Sequence, residues 1–178
     1  MDCLCLPVKR GHAEAVTELL LLAGGHGEDP LHAAVSADDL DAVQRMLDVG
    51  ASVDRQDRYG MTPLNRACAM GLHGVAETLL RAGADVGVPD MDGFNALHTA
   101  VREGADGGLP LHTAVTAALL RYAGTFDIQA RNGCGDTALR IAARGVDVLL
   151  VKRLLEAGAN PDCIDGAIAD VDDDAATV

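Results

Sequence analysis

Residues 61–84 read MTPLNRACAMGLHGVAETLLRAGA. The stretch opens on Thr62-Pro63, a helix start: a hydroxyl able to accept a free backbone N–H, then a residue that has none to leave unpaired. Two short apolar helical patterns follow, split at Gly71. Gly83-Ala84 closes the stretch, and a glycine in that place ends a helix through a left-handed turn. Residues 61–84 are therefore one helix–turn–helix unit with its own start and stop signals.

The unit returns along the chain. Openings recur at Asp29-Pro30-Leu31-His32-Ala33-Ala34, Thr62-Pro63-Leu64-Asn65-Arg66-Ala67, Asn95-Ala96-Leu97-His98-Thr99-Ala100 and Thr137-Ala138-Leu139-Arg140-Ile141-Ala142. Leu31, Leu64 and Leu97 stand 33 residues apart, as do Gly50 and Gly83, and Gly158-Ala159 supplies a further closing pair. Asp29, Thr62 and Asn95 are the expected caps, the small Ala33-Ala34, Ala67 and Ala100 allow close helix approach, and Leu79-Leu80 and Leu154-Leu155 are the expected core face of the second helices. A fixed period of this kind is the mark of a repeat architecture.

These openings, closings and spacings resemble the ankyrin repeat over roughly residues 4–163. The resemblance implies an all-α solenoid of about five stacked helix–turn–helix units with short hairpin-like loops. The expected array covers 1–165, with repeats at about 2–27, 28–56, 57–89, 90–130 and 131–165, and 166–178 reads as an acidic, disordered tail. Pro7 leaves the first helix of repeat one short or irregular. Repeat two carries Asp38 where the family has glycine. Repeat four is nine residues too long, since Leu97 to Leu139 is 42. Most of the excess falls between its helices in Glu103–Leu109, with about two residues after Tyr122.

Composition narrows the function. The formal net charge is −13 over 178 residues, which disfavours nucleic acid and anionic membranes as partners and favours a basic protein surface. Aromatic residues are 2% of the chain, so the core must be built from Ala, Leu and Val. The five cysteines, Cys3, Cys5, Cys68, Cys134 and Cys163, are odd in number and irregular in spacing. They point to a reducing compartment, cytoplasmic or nuclear, rather than to a disulfide framework. Cys3 and Cys5 at a terminus are too few to define a metal site. The apolar run Leu19–Ala23 is too short for a bilayer, and Glu14 and Glu18 before it argue against a signal peptide. No nucleophile elbow, P-loop, H-E-x-x-H or G-x-G-x-x-G is present. The reading is a non-catalytic chain with no catalytic residue, cofactor or metal.

The resemblance also implies where a partner would sit, namely the concave side formed by the loop tips and the exposed positions of each first helix. On this chain the tips are Arg58, Tyr59 and Met61, then Met91, Asp92 and Phe94, then Gly133, Cys134 and Asp136. The matching helix positions are Ser36 and Ala37, Ala69 and Met70, Arg102 and Glu103, and Arg144. Tyr59 and Phe94 are two of only four aromatics, and Met61, Met70 and Met91 join them in an expected contact cluster. The insert of repeat four is expected at one edge of that surface. The implied function is a protein–protein interaction module, as inhibitor or adaptor, of unspecified oligomeric state. The alternative is a small enzyme or ligand-binding protein using His98, His112 and a carboxylate such as Asp106, because Leu97–Val101 recurs as Leu111–Val115. The plain reading of His32 and His98 is structural, with each ring tying adjacent turns together. The acidic tail has a second reading as a docking segment for a basic groove.

Overall fold

A computed structural model describes residues 29–105, 110–145 and 147–163. The expected first repeat, Cys3, Cys5, Asp106 and the acidic tail lie outside these residues. Four helix pairs occupy the described chain: α1 (Pro30–Ser36) with α2 (Leu40–Asp48), α3 (Pro63–Ala69) with α4 (His73–Arg81), α5 (Ala96–Ala105) with α6 (Pro110–Leu120), and α7 (Ala138–Arg144) with α8 (Val148–Glu156). Short 3₁₀ turns sit at Ala123–Thr125 and Pro161–Cys163. Among the described residues there is no strand; one isolated antiparallel bridge, Arg131 to Thr137, closes a tip.

Each first helix starts where its cap dictates. Thr62 Oγ1 accepts the Asn65 N–H at 3.1 Å, Asn95 Oδ1 accepts the His98 N–H at 3.0 Å, and Asp29 Oδ1 accepts the Leu31 N–H at 3.0 Å. These bonds occupy backbone donors that a helix start leaves free. The turn between α1 and α2 needs a left-handed residue, and Asp38 takes that conformation at φ 53°, matching Gly71 at φ 70°. Asp39 then caps α2 by accepting the Ala42 N–H at 2.9 Å. The second helices of the described regular repeats end before Gly50, Gly83 and Gly158, all with positive φ.

First helices stack on first helices, α1 on α3 on α5 on α7, and second helices on second helices, α2 on α4 on α6, with α8 touching α6 more sparsely. The buried seam follows the repeat spacing: Leu31, Leu64, Leu97 and Leu139 in the first helices, Met46, Leu79, Leu119 and Leu154 in the second. Burying one such side chain stabilises by about 1.5–3 kcal/mol. Leu155 departs from its expected core role. It is 40% exposed, where its counterpart Leu80, in a helix that packs against α6, is 4% exposed.

In repeat four the excess expected between the helices is helical at both of its ends. Relative to the pair α3–α4, three of the additional residues lengthen α5 to Ala105, three start α6 early at Pro110, and one lengthens the connection. The two residues after Tyr122 enter the 3₁₀ turn Ala123–Thr125, which replaces the left-handed glycine of the other repeats. The described part of this excess lies at the end of the helix pair away from the tips, next to the first-helix positions Arg102 and Glu103, and residues 106–109 lie outside the described residues.

Candidate interaction surface

The tips are built by three side chains in equivalent positions. Asp57 Oδ1 accepts the N–H of Tyr59 at 2.8 Å and of Met61 at 3.0 Å. Asp90 Oδ1 does the same for Asp92 and Phe94, at 3.0 and 2.8 Å, and Asn132 Oδ1 for Cys134 and Asp136, both at 2.9 Å. An Asx side chain closing its own turn in this way fixes the tip without a long strand pair. Their spacings, 33 and then 42 residues, are those of the repeat, and a glycine follows each by three; that was the available signal for a role not assigned from the sequence.

Backbone bonds then tie one tip to the next. Met91 N–H donates to Tyr59 O at 3.2 Å, and Gly133 N–H to Asp92 O at 2.9 Å. Gln56 Nε2 donates to Gly60 O and to Pro89 O, each at 2.8 Å. Behind the tips the fourth position of the first three openings reaches the backbone that leads into or forms the following tip. His32 Nε2–H donates to Met61 O at 2.9 Å, and His98 Nε2–H to Ala130 O at 3.0 Å. Buried Asn65 replaces the imidazole, its Nδ2 reaching Val88 O at 3.4 Å and Phe94 O at 3.3 Å. The structural reading of both histidines follows from these bonds.

His98 has a further constraint. Its Nδ1 accepts the Asn95 N–H at 3.4 Å, so the ring is the neutral tautomer with its proton on Nε2. Burial holds its pKa below the ordinary 6.5, opposed by the bond to Ala130 and the fields of Asp136 and Asp90. The unfolded chain then binds the proton more readily than the folded one. His98 thus contributes stability that is complete above about pH 6.5 and is lost as pH falls. Replacing His98 by Asn, the residue used at position 65, is expected to flatten the dependence of stability on pH between 7.5 and 5.5, by at most about 1.4 kcal/mol per pH unit. Urea denaturation at several pH values measures this. An unchanged slope would contradict the assignment.

The His98 and His112 rings bond to different backbone partners, and the third expected member of their site, Asp106, lies outside the described residues. His98 turns toward Ala130 at the end of its own repeat, whereas His112 Nε2 lies 3.5 Å from Ala69 O in the preceding one. Both His98 nitrogens are occupied by backbone groups. Among the described residues no three His, Cys, Asp or Glu side chains are grouped to hold a metal ion. Cys68 is buried and its thiol pKa is pushed well up by that burial, so it packs as a small apolar group. Cys134 is an exposed thiol at a tip.

The expected contact residues divide into three groups. Tyr59 and Met91 are 53% and 75% exposed and sit on adjacent tips joined by the Met91–Tyr59 backbone bond. The Arg58 guanidinium lies over the Tyr59 ring at 4.8 Å, and Asp92 is exposed beside Met91. Met61 is half-buried, its main chain engaged by Asp57 and His32. Met70 does not join the cluster: it is exposed, but caps the C-terminus of α3, the end away from the tips. Exposed Ser36 and Ala37 occupy the corresponding end of α1, and Ser36 Oγ accepts from Arg66 at 2.8 Å.

Phe94 is half-buried and belongs to a cleft between repeats four and five. Arg102, from α5, stacks over its ring at 4.6 Å, and the His98 ring meets it edge-on at 6.1 Å. The cleft is completed by Asn132, Cys134, Asp136, Ile141, Arg144 and Gly145. Glu103 pairs with Arg102 at 3.2 Å. Asp136, at the tip, is buried; its carboxylate holds Arg140 at 3.0 Å and also bonds Arg144. The burial of the aspartate is sustained by these two guanidinium partners.

The opposite, second-helix face is laced differently. Glu77 meets Arg121 at 3.0 Å and Arg81 at 2.9 Å, and the Arg121 hydrogen bond leads the causes that hold its pKa low. Such exposed pairs contribute little each. Among the described residues no helix is long and apolar enough to cross a membrane.

Known proteins share this pattern. A family model for ankyrin repeats in three copies matches residues 4–90, and a second, for one ankyrin repeat, matches residues 134–166. The lengthened repeat lies between them. The B-cell lymphoma 3 protein of Homo sapiens is 35% identical over 144 residues, covering 78% of this chain and 30% of that protein. The SH3 and multiple ankyrin repeat domains protein 2 of Homo sapiens is 36% identical over 118 residues, 66% of this chain and 6% of that protein. The E3 ubiquitin-protein ligase KEG of Arabidopsis thaliana is 30% identical over 109 residues, 55% of this chain and 7% of that protein. The chain thus spans less than a third of the length of each of these relatives. With the stacked helix pairs, the histidine ties between repeats and these matches together, the chain belongs to the ankyrin-repeat family.

Proposed function

We propose that the chain is a non-catalytic protein-interaction module that holds a partner protein on its tip and first-helix face, as an inhibitor or adaptor. The observation that carries this reading is the adjacent placement of Tyr59 and Met91, two large and largely exposed side chains on tips that are themselves locked by Asp57, Asp90 and the backbone ladder. Exposed aromatic and Met side chains on rigid supports lose little entropy on binding and act as anchors. Arg58, Asp92, Phe94, Arg102, Glu103 and Arg144 extend the same face, with Met61 supporting it from below and Met70 at its far margin. The relatives named above carry arrays like this one within much longer chains, which fits a module that recruits rather than reacts. The net charge of −13 favours a partner whose broad surface is basic. The odd cysteine count favours a reducing compartment, cytoplasmic or nuclear.

The double variant Tyr59→Ala/Met91→Ala removes two exposed side chains and no core contact. It is expected to weaken capture of the native partner roughly thirtyfold, ~2 kcal/mol, with the melting temperature unchanged. Capture from native lysate followed by titration of the recovered partner measures this; undiminished recovery would refute the surface.

A further inference from the structure

The cleft between repeats four and five has a chemistry unlike the chain around it. Phe94 and Asp136 occupy the same position in successive repeats, 42 residues apart, and so do Arg102 and Arg144. The two guanidiniums therefore stand in register on α5 and α7, which pack directly on one another. Packed helices lie about 8–10 Å apart, a distance that one carboxylate group placed between two long Arg side chains can bridge. Arg102 is fixed by the Phe94 ring face and by one oxygen of Glu103. Arg144 is fixed by one oxygen of Asp136, whose other oxygen is taken by Arg140. A guanidinium carries five N–H donors, so both retain donors beyond these bonds. Their side chains are 44% and 54% exposed.

The local charge follows. At the helix side Arg102, Arg140 and Arg144 face Glu103 and Asp136, in a chain whose net charge is −13, while Asp90 stands at the tip side with its carboxylate on the Phe94 N–H. The remaining nearby carboxylate that is exposed, Asp92, stands on the tip side beyond Cys134, so the cleft is cationic at its helix side and acidic at its tip side. Between the two, the half-buried Phe94 and Ile141 offer an apolar wall.

Building on the interaction reading above, we propose that this cleft takes an aliphatic side chain of the partner with a carboxylate beside it, the aliphatic group against Phe94 and Ile141 and the carboxylate between Arg102 and Arg144. The partner's broad surface and its anchor then have opposite polarity. An acidic anchor is bound by planar, multiply donating guanidiniums, while long-range attraction is supplied by basic groups elsewhere on the same partner. Such a split raises specificity, because a uniformly basic surface would place a cation against Arg102 and Arg144.

The test uses three capped hexapeptides, Gly-Ser-Leu-Glu-Ser-Gly, Gly-Ser-Leu-Lys-Ser-Gly and Gly-Ser-Ser-Glu-Ser-Gly, titrated into the whole chain labelled with ¹⁵N. The Leu-Glu peptide is expected to shift the amides of Gly133, Cys134 and Gly145. The other two should bind there about fivefold to tenfold more weakly, as should the Leu-Glu peptide with Arg102→Gln or Arg144→Gln. Unchanged amides in the first two repeat pairs of each variant show that the fold is kept. If the Leu-Lys peptide shifts the cleft amides as strongly, or if the Leu-Glu peptide leaves them unmoved up to its solubility limit, the proposal is overturned. Either failure concerns only the anchor chemistry; the tip surface stands or falls by the capture experiment with Tyr59 and Met91.

Discussion

Gly93→Ala will destabilise the array by roughly 3 kcal/mol, whereas Gly83→Ala will cost about 1 kcal/mol. Both glycines hold left-handed backbone, at φ 79° and 91°, so a β-carbon is disfavoured at each. Around Gly83 there is open space, and the cost is conformational only. At Gly93 the added carbon would stand 2.5 Å from Gly133 N and 3.1 Å from Asn132 C and Gly133 Cα. These are backbone atoms of the next tip, which no side-chain rotation can move aside. Relief requires the two tips to part, breaking the Gly133 N–H bond to Asp92 O. The same approach is tight from the other side, where a β-carbon on Gly133 would collide with the Asp92 carbonyl. Chemical denaturation of the two variants side by side checks the difference. Equal losses would mean that the tips are not in contact as described.

Leu97→Ala is expected to cost about 3 kcal/mol and to damage cooperativity as well as stability. Leu97 is fully buried in α5, which packs against α3, α6 and α7. In a repeat array each unit touches only its neighbours, so stability is the sum of weak units and favourable interfaces. A cavity at α5 weakens the interfaces on both sides of repeat four and separates α1–α4 from α7–α8. The broadened or two-step transition expected from this can be followed by circular dichroism in urea. Leu155→Ala, at a residue with an exposed side, is the companion change and should cost below 1 kcal/mol with the transition left sharp. A single sharp transition for Leu97→Ala, shifted no more than for Leu155→Ala, would contradict the stacking.

The framework was legible because its residues are forced by local chemistry. Thr62-Pro63 and Gly83 have few physical alternatives, and Leu31, Leu64 and Leu97 carry the period in register. Asp38 shows the same logic with a different residue, since an aspartate tolerates the left-handed turn that glycine usually fills. Gly104 misled for the opposite reason. A glycine in a helix is disfavoured by about 1 kcal/mol relative to alanine, so the local pattern predicts a break. Helix α5 nevertheless runs on through it, and a β-carbon there would make ordinary contacts with His112 and Leu150. Tertiary packing offset a local preference, and most of the excess between the helices lengthened α5 and α6. The burial of Asp136 was not legible, because it depends on Arg140 and Arg144 one and two turns along α7. The separation of Met70 from Tyr59 and Met91 also needed the structure, because the opposite ends of a seven-residue helix are close in sequence and distant in space.

One paired binding measurement separates the exposed tip face from the rigid framework behind it. The partner recovered with the native chain is titrated against Tyr59→Ala/Met91→Ala and against Arg81→Ala/Lys152→Ala, a double change of exposed residues on the second-helix face. Both variants should melt with the native chain. Affinity is expected to fall roughly thirtyfold with the tip variant and to stay unchanged with the second-helix variant. The reverse pattern, or equal affinities for all three proteins, would contradict that separation.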